Sequence, residues 1–363
     1  MDLSLFDYTL PKSLIAQEPS KKRSDARLLV YNRKNETINH AQFKDIDDFL
    51  PENVQFFRNQ VSVLKARLFG QRKTGGSVEC LLLNPAEDSN TWWCLIKPGK
   101  KTFSAKYFFD ENHYEAEVLE TNTHGEYKVR FRLFHEKNVY NLANALGKMP
   151  LPPYIQRKKV DIRDNLDAER YQTVYANSNK PFAAAAPTAG LHFTNELIQD
   201  LKAKGHDFFD LSLNVGIGTF QPIQVDAIEN HKIHTESFEI HPDTVKALYP
   251  KGTKLRVAVG TTSVRAIESF YHQLLKNPEN KPHITNKPYF ADTDLYLYPP
   301  AKFHGIDAMI TNFHLPRSSL LCLVSAFLSP DQKNGVDLLK KLYNLAIKNK
   351  YKFYSYGDAM LIL

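Results

Sequence analysis

The sequence predicts a layered α/β domain with a small antiparallel β-barrel inserted into it. Three observations carry this. From about residue 164 to the end, short apolar strands alternate with amphipathic helices, the order that builds a parallel-rich sheet covered by helices. From about residue 61 to 134 the apolar period becomes two, with turns at short intervals, as in a small closed antiparallel sheet. A stiff proline-rich connector, MPLPPYI at Met149–Ile155, separates the two regimes. The simplest topology joins residues 1–60 and 155–363 into one discontinuous α/β domain and leaves 61–154 as the barrel insert with its connector.

The elements follow in order. Pro11–Ala16 reads as a helical turn, and Arg27–Tyr31 as a strand closed by the turn Asn32–Thr37. Val61, Val63 and Leu68 lead into the turn Lys73–Ser77 and the strand Val78–Leu83. Trp92–Ile96 ends at a basic turn, Lys97-Pro98-Gly99-Lys100-Lys101, and Tyr114–Leu119 and Tyr127–Phe134 flank the turn Asn122–Gly125. Asn138–Leu146 is expected to be a helix. In the second half, the helix Thr194–Lys204 stops at Gly205, and the strand Phe208–Leu213 runs into the glycine-rich turn Asn214–Phe220. The strand Lys254–Val259 meets Gly260-Thr261-Thr262-Ser263 before a helix over Val264–Leu275. The apolar strand Ala308–Ile310 breaks at Thr311-Asn312-Phe313-His314, and Leu315-Pro316 leads through Arg317-Ser318-Ser319 into a long apolar helix.

The chain has 363 residues and is 42% hydrophobic, enough for two cores. Lys and Arg outnumber Asp and Glu by 47 to 40, so the chain carries +7. That balance suits a polyanionic partner and equally an ordinary basic enzyme. Cys80, Cys94 and Cys322 lie far apart, with neither zinc spacing nor a disulfide framework, as expected in a reducing cytoplasm. The start, MDLSLFDYTLPKSL, lacks the basic-then-apolar order of a signal peptide. The longest apolar run, Leu320–Leu328, is about half of the ~18–20 residues a spanning helix needs, so no membrane insertion is expected.

Chemistry is expected at the turns that end strands, where open α/β sheets bind ligands. Gly260–Ser263 offers first-turn amides suited to a carboxylate or phosphate, although hydroxyls there also serve as caps. Arg265, placed early in that helix against the dipole, points to an anion. In the small-residue run Ala183–Thr194, Thr188 and Gly190 would let a ligand approach closely. His192 is either an acid–base group beside a flat base or a satisfied core histidine. Asn312, His314 and Arg317 would orient a ligand, carry a proton and hold an anion. Tyr356 and Asp358 would be set into the same site by the returning tail, unless Gly357-Asp358 only makes a turn. His231, His234 and Glu236 form too sparse a set for a metal site. No dinucleotide, Walker, nucleophile-elbow or metalloprotease motif is present.

Taken together and in this order, the turns resemble the S-adenosylmethionine:tRNA ribosyltransferase-isomerase family of queuosine biosynthesis. The matching stretches are MPLPPYI, ERYQTVYA (Glu169–Ala176), APTAGLHFT (Ala186–Thr194), VGIGTF (Val215–Phe220), HKIHTE (His231–Glu236), VGTTSVRAIES (Val259–Ser269), ITNFHLPRSSLL (Ile310–Leu321), LVSAF (Leu323–Phe327) and YSYGDAMLIL (Tyr354–Leu363). LPKSLIAQEP (Leu10–Pro19) and ARLFG (Ala66–Gly70) also fit. The resemblance covers essentially the whole chain.

It implies transfer and isomerisation of the ribosyl part of S-adenosylmethionine onto the 7-aminomethyl-7-deazaguanine wobble base of tRNA. The products are epoxyqueuosine-tRNA, adenine and methionine. It also implies an α/β domain with an inserted barrel and S-adenosylmethionine as co-substrate; no prosthetic group is expected, and the protein is expected to be a cytoplasmic monomer. The chemistry needs a base near the sulfonium, a proton for adenine, and partners for carboxylate and phosphates. His192, His314 and Asp358 are then the expected catalytic residues, the histidines because a pKa near neutrality suits proton transfer. Thr188, Gly190, Thr261, Thr262, Ser263, Arg265, Asn312, Arg317 and Tyr356 are expected to bind substrate. Lys97, Lys100, Lys101, Arg157 and Lys158, with Lys159 beside them, are expected to follow tRNA phosphates.

Two places depart from the family pattern: Gln60-Val61-Ser62 stand where Asp, Thr and a cation are usual, and Asn214 stands where His is usual. The alternatives are a tRNA-binding member with impaired or lost catalysis and an S-adenosylmethionine-dependent methyltransferase.

Overall fold

The computed structural model describes residues 1–158, 160–183, 185–216, 222–276 and 286–363. Lys159, which the sequence groups with the basic connector, and Ile217–Phe220 of the glycine-rich turn lie outside them.

A nine-stranded mixed sheet forms the larger body. Its order is Tyr289–Thr293, Glu236–Ile240, Asp207–Leu213, Gln55–Asn59, Arg256–Val259, Ala308–Asn312, Ala359–Ile362, Arg27–Asn32, Thr37–Gln42. The four strands from Asp207–Leu213 to Ala308–Asn312 are mutually parallel. The C-terminal strand Ala359–Ile362 runs antiparallel to Ala308–Asn312 and parallel to Arg27–Asn32. The strands Arg256–Val259, Ala308–Asn312 and Ala359–Ile362 are buried throughout, which is why they read as continuous apolar runs. Helices cover both faces. Val257 and Val259 pack with Leu197, Ile198 and Leu201 of the helix Asn195–Ala203. Ala258, on the other face, joins Val264, Ile267 and Phe270 of the helix Thr261–Lys276. The layered α/β class is therefore correct, and N-terminal strands sit in the same sheet as strands from the second half.

The inserted barrel is closed and six-stranded: Tyr127–Leu133, Thr91–Lys97, Ser77–Pro85, Arg67–Gln71, Tyr107–Asp110 and Tyr114–Thr121, every neighbour antiparallel. Alternate residues fill it, among them Leu68, Cys80, Trp92, Phe108 and Val129. The helix Val139–Leu146, capped by the Asn138 side chain accepting from Asn141 N at 2.9 Å, closes it with Leu142 and Ala143. Val61–Val63 does not join the barrel; it pairs in parallel with Asn177–Ala183. The basic turn after Ile96 is partly helical. Gly99–Ala105 forms a helix, which places Lys100 and Lys101 on it.

Candidate functional site

The carboxyl ends of Arg256–Val259 and Ala308–Asn312, neighbours in the sheet, open onto one cleft of about 580 Å³, counting the space open to solvent. Three walls form it. Gly260, Thr261 and Thr262 come from the start of the helix Thr261–Lys276. Gly260 ends the strand at φ +88°, a conformation glycine adopts without strain. Ala185, Ala186, Pro187, Thr188 and Ala189 make the small-residue wall. Thr311, Asn312 and His314 make the polar wall, with Tyr154, Tyr354 and Ser355 at the side. The Tyr154 and Tyr354 rings lie 4.6 Å apart, and the Tyr154 hydroxyl meets Ser355 Oγ at 2.7 Å.

Asn312 is the hub. Its Oδ1 accepts from Thr188 Oγ1 at 2.7 Å, and its Nδ2 reaches His192 Nε2 at 3.2 Å. Because Nδ2 can only donate, His192 Nε2 accepts, which places the neutral ring's proton on Nδ1. His192 thus sits behind Asn312, stacked at a tilt on Phe43, and not in the cleft wall. His314 does line the cleft. Its Nε2 meets Thr311 Oγ1 at 2.8 Å and its amide donates to Tyr343 OH at 2.9 Å.

The expected near-neutral histidines are not found. Burial holds both imidazoles down to about 3, and for His192 the Arg23 and Arg170 charges add to it. Both are neutral at physiological pH. At pH 5, where an exposed histidine is mostly charged, NMR of ring nitrogens is expected to find both still neutral; a titration near 6.5 would contradict the burial. The linkage has a definite sign. Folded pKa values below the unfolded 6.5 leave this stability fully present above about 6.5. It is lost as pH falls from there toward about 3, at up to about 1.4 kcal/mol per pH unit for each ring.

Several expected residues have other work. Arg265 lies in the second turn, because the helix begins at Thr261 and not at Val264. Its guanidinium pairs with Glu236 and donates to the carbonyls of Leu295 (3.0 Å), His234 (2.9 Å) and Thr293 (3.1 Å), so it is an internal clamp. Ser263 Oγ donates back to Val259 O at 2.8 Å, and Gly190 packs so closely on Tyr175 that a Cβ would come within 1.9 Å of its hydroxyl. Asp358 accepts from the amides of Arg27 (2.8 Å) and Lys352 (2.7 Å), and among the described residues no carboxylate lines the cleft. Tyr356 donates to Asp167 at 2.9 Å. Arg317 is exposed, at φ +57°, with its charge near Asp2 and outside the cleft lining.

The sequence missed the aromatic contribution of Tyr154, which sits in the proline-rich connector. It also missed a second cavity sharing Thr261, Thr262 and Leu320 with the cleft and lined by His231, His234 and Tyr296. Among the described residues, Thr262 Oγ1 is buried without a hydrogen-bond partner at this junction, a donor and acceptor left for a ligand. Neither departure from the family pattern touches the cleft lining. Gln60 bonds His241 Nε2 at 2.6 Å, and Asn214 donates to Ser237 Oγ at 3.0 Å.

Where barrel and sheet domain meet, Lys97, Arg157 and Lys158 line a groove of about 1040 Å³. Arg157 is not free for phosphate: it is buried and holds Asp167 through two bonds of 2.6 and 2.9 Å. Lys97, Lys100, Lys101 and Lys158 are exposed. No helix among the described residues is long and apolar enough to cross a membrane.

The family model described as Queuosine biosynthesis protein matches residues 3–362. An S-adenosylmethionine:tRNA ribosyltransferase-isomerase of Thermosipho melanesiensis is 41% identical over 365 residues, covering 100% of both chains. The enzyme of that name from Fusobacterium nucleatum is 42% identical over 364 residues, 99% of this chain and 96% of its own. A crystal structure of S-adenosylmethionine tRNA ribosyltransferase from Thermotoga maritima aligns with a TM-score of 0.52 at 31% identity, over 99% of this chain and 100% of that one. By a match that runs from end to end, the chain belongs to the queuosine biosynthesis protein family.

Proposed function

We propose that the cleft between Gly260–Thr262, Ala185–Ala189 and Thr311–His314 holds S-adenosylmethionine next to the tRNA wobble base. The chain is a transferase of queuosine biosynthesis. It moves and isomerises the ribosyl unit of S-adenosylmethionine onto the 7-aminomethyl-7-deazaguanine of tRNA, releasing adenine and methionine. The alternatives of a non-catalytic tRNA-binding member and a methyltransferase have no such support. The observation that carries the siting is that the family's separate motifs, far apart in sequence, meet in one cleft at the ends of parallel strands.

The parts divide the work. The amide ends at Thr261 and Thr262 offer donors to an oxygen-rich or anionic group. The alanine wall admits a flat base, and the Tyr154–Tyr354 pair offers a π face to a base or to the sulfonium. His314, neutral at pH 7, has a lone pair for the proton beside the sulfonium, and Asn312 fixes Thr188 and His192 around it. The enzyme works as a cytoplasmic monomer with no prosthetic group, its co-substrate bringing the reactive carbon.

Incubation with S-adenosylmethionine and tRNA carrying the aminomethyl base is expected to release adenine and methionine in equal amounts. S-adenosylhomocysteine in their place would mean methylation and overturn the reading. Exposed Lys97, Lys100 and Lys101 follow phosphates. Replacing each by alanine is expected to lower the slope of log Kd for tRNA against log salt by about 0.7–0.9 for every phosphate that is no longer neutralised. A triple variant with the wild-type slope would remove that edge from the tRNA path.

A further inference from the structure

We infer that a small pocket behind His192, built around Arg23 and Arg170, is a binding site for an oxyanion that reaches the cleft. The pocket, about 250 Å³, is lined by Ser20, Arg23, Arg170, His192, Ser355 and Tyr356. Ser355 also lines the cleft, so the two spaces share a wall.

Among the described residues, its charge has no ion-pair partner. Arg23 donates to the carbonyls of Arg170 (3.3 Å), Leu191 (3.1 Å) and Glu169 (2.9 Å). Arg170 donates to Lys21 O (3.1 Å) and Ser20 O (2.8 Å). All five acceptors are neutral. Among the described residues, neither guanidinium has a carboxylate within ion-pair distance, although Arg170 is only 9% exposed. Its Nε is buried without any partner. The nearest acids do not pair with either arginine: Asp167 is bound to Arg157 and Tyr356, and Glu169, whose charge acts on Arg23, is exposed and forms no ion pair with it. A buried guanidinium without a counter-charge is costly, unlike the paired Arg265 and Arg157 of the same chain. Burial and the neighbouring Arg170 charge both depress Arg23, and the two arginines act together on His192.

The ligand chemistry is a carboxylate or phosphate oxygen group, which two guanidinium groups recognise well. With Arg265 engaged by Glu236 and Arg317 exposed outside the cleft lining, this pocket supplies the cationic partner that the cleft lacks. Naming the source rests on the proposed function: the carboxylate of S-adenosylmethionine or a phosphodiester of the bound tRNA. The oxyanion site itself does not rest on it.

Binding, measured without turnover, tests this. Millimolar sulfate at constant ionic strength is expected to raise the wild-type Tm saturably, and Arg23→Gln and Arg170→Gln to abolish the rise. If the carboxylate is the source, calorimetry will show both variants weakening S-adenosylmethionine about tenfold or more while leaving decarboxylated S-adenosylmethionine unchanged. If a phosphodiester is the source, the tRNA salt slope will fall by about 0.7–0.9 and S-adenosylmethionine binding will hold. Absence of a saturable sulfate effect on the wild-type protein overturns the pocket, whether or not the variants fold. Adenine release without sulfate binding would remove the pocket and leave the proposed function standing; sulfate binding without adenine release would do the reverse.

Discussion

Asp358→Ala is expected to destabilise the fold and to leave the chemistry of the surviving folded molecules within a few-fold of wild type. The carboxylate caps two backbone amides, Arg27 N and Lys352 N, at a site only 5% exposed. Those amides belong to the start of the strand Arg27–Asn32 and to the turn before Ala359–Ile362, two strands paired in parallel within the sheet. Alanine strands both donors in a place water does not reach, at about 1–3 kcal/mol each. Asparagine retains one acceptor and turns an NH2 toward the other amide, so its loss should fall between wild type and alanine. Urea denaturation gives the measurement, as a lower midpoint at unchanged m. A variant of full stability whose turnover falls a hundredfold would return Asp358 to the catalytic residues.

The same residue shows where sequence reading stops. A Gly-Asp before an apolar tail is legible as an end of something. Whether the carboxylate faces a ligand or two amides depends on which strands flank the tail, and that pairing is non-local. Arg265 is a second case. Its place early in a helix, against the dipole, points in sequence to an anionic ligand. The anion proves to be Glu236, 29 residues earlier and brought alongside by a neighbouring strand. Arg157 likewise reads as part of a surface charge run and is held by Asp167 ten residues on. These buried cations found their partners inside the chain, and a charge count cannot distinguish them from the ones left over. Arg23 and Arg170 have carbonyl partners but no acidic one, and although Arg170 falls in the ERYQTVYA stretch, nothing in the sequence pairs it with Arg23.

What the sequence did carry was local and periodic. The two-residue alternation marked barrel strands, because a closed sheet buries one face only, and the strand–turn–helix order marked the parallel centre. Thr188, Thr261, Thr262, Asn312 and His314 were legible because each sits in a polar turn directly after or beside a buried strand. In such places the fold has no use for so many hydrogen-bonding groups.

His314→Ala is expected to lower turnover by about two powers of ten or more, with S-adenosylmethionine binding little changed. Among the described residues lining the cleft, His314 is the one group that holds an available lone pair for a proton at neutral pH; burial pushes the tyrosines up, Tyr354 to about 12. Thr311 holds the ring in place: its Oγ1 lies 2.8 Å from His314 Nε2, and this hydrogen bond fixes which nitrogen is left for the proton. Thr311→Val removes that control without touching the ring, and a fall of about tenfold in kcat at constant KM is the expected result. The two variants separate orientation from packing. A histidine that only fills space would tolerate glutamine, so His314→Gln with wild-type kcat, in a protein of wild-type Tm, would end its candidacy as the base. The proton removed beside the sulfonium would then have to reach a group that the cleft does not present.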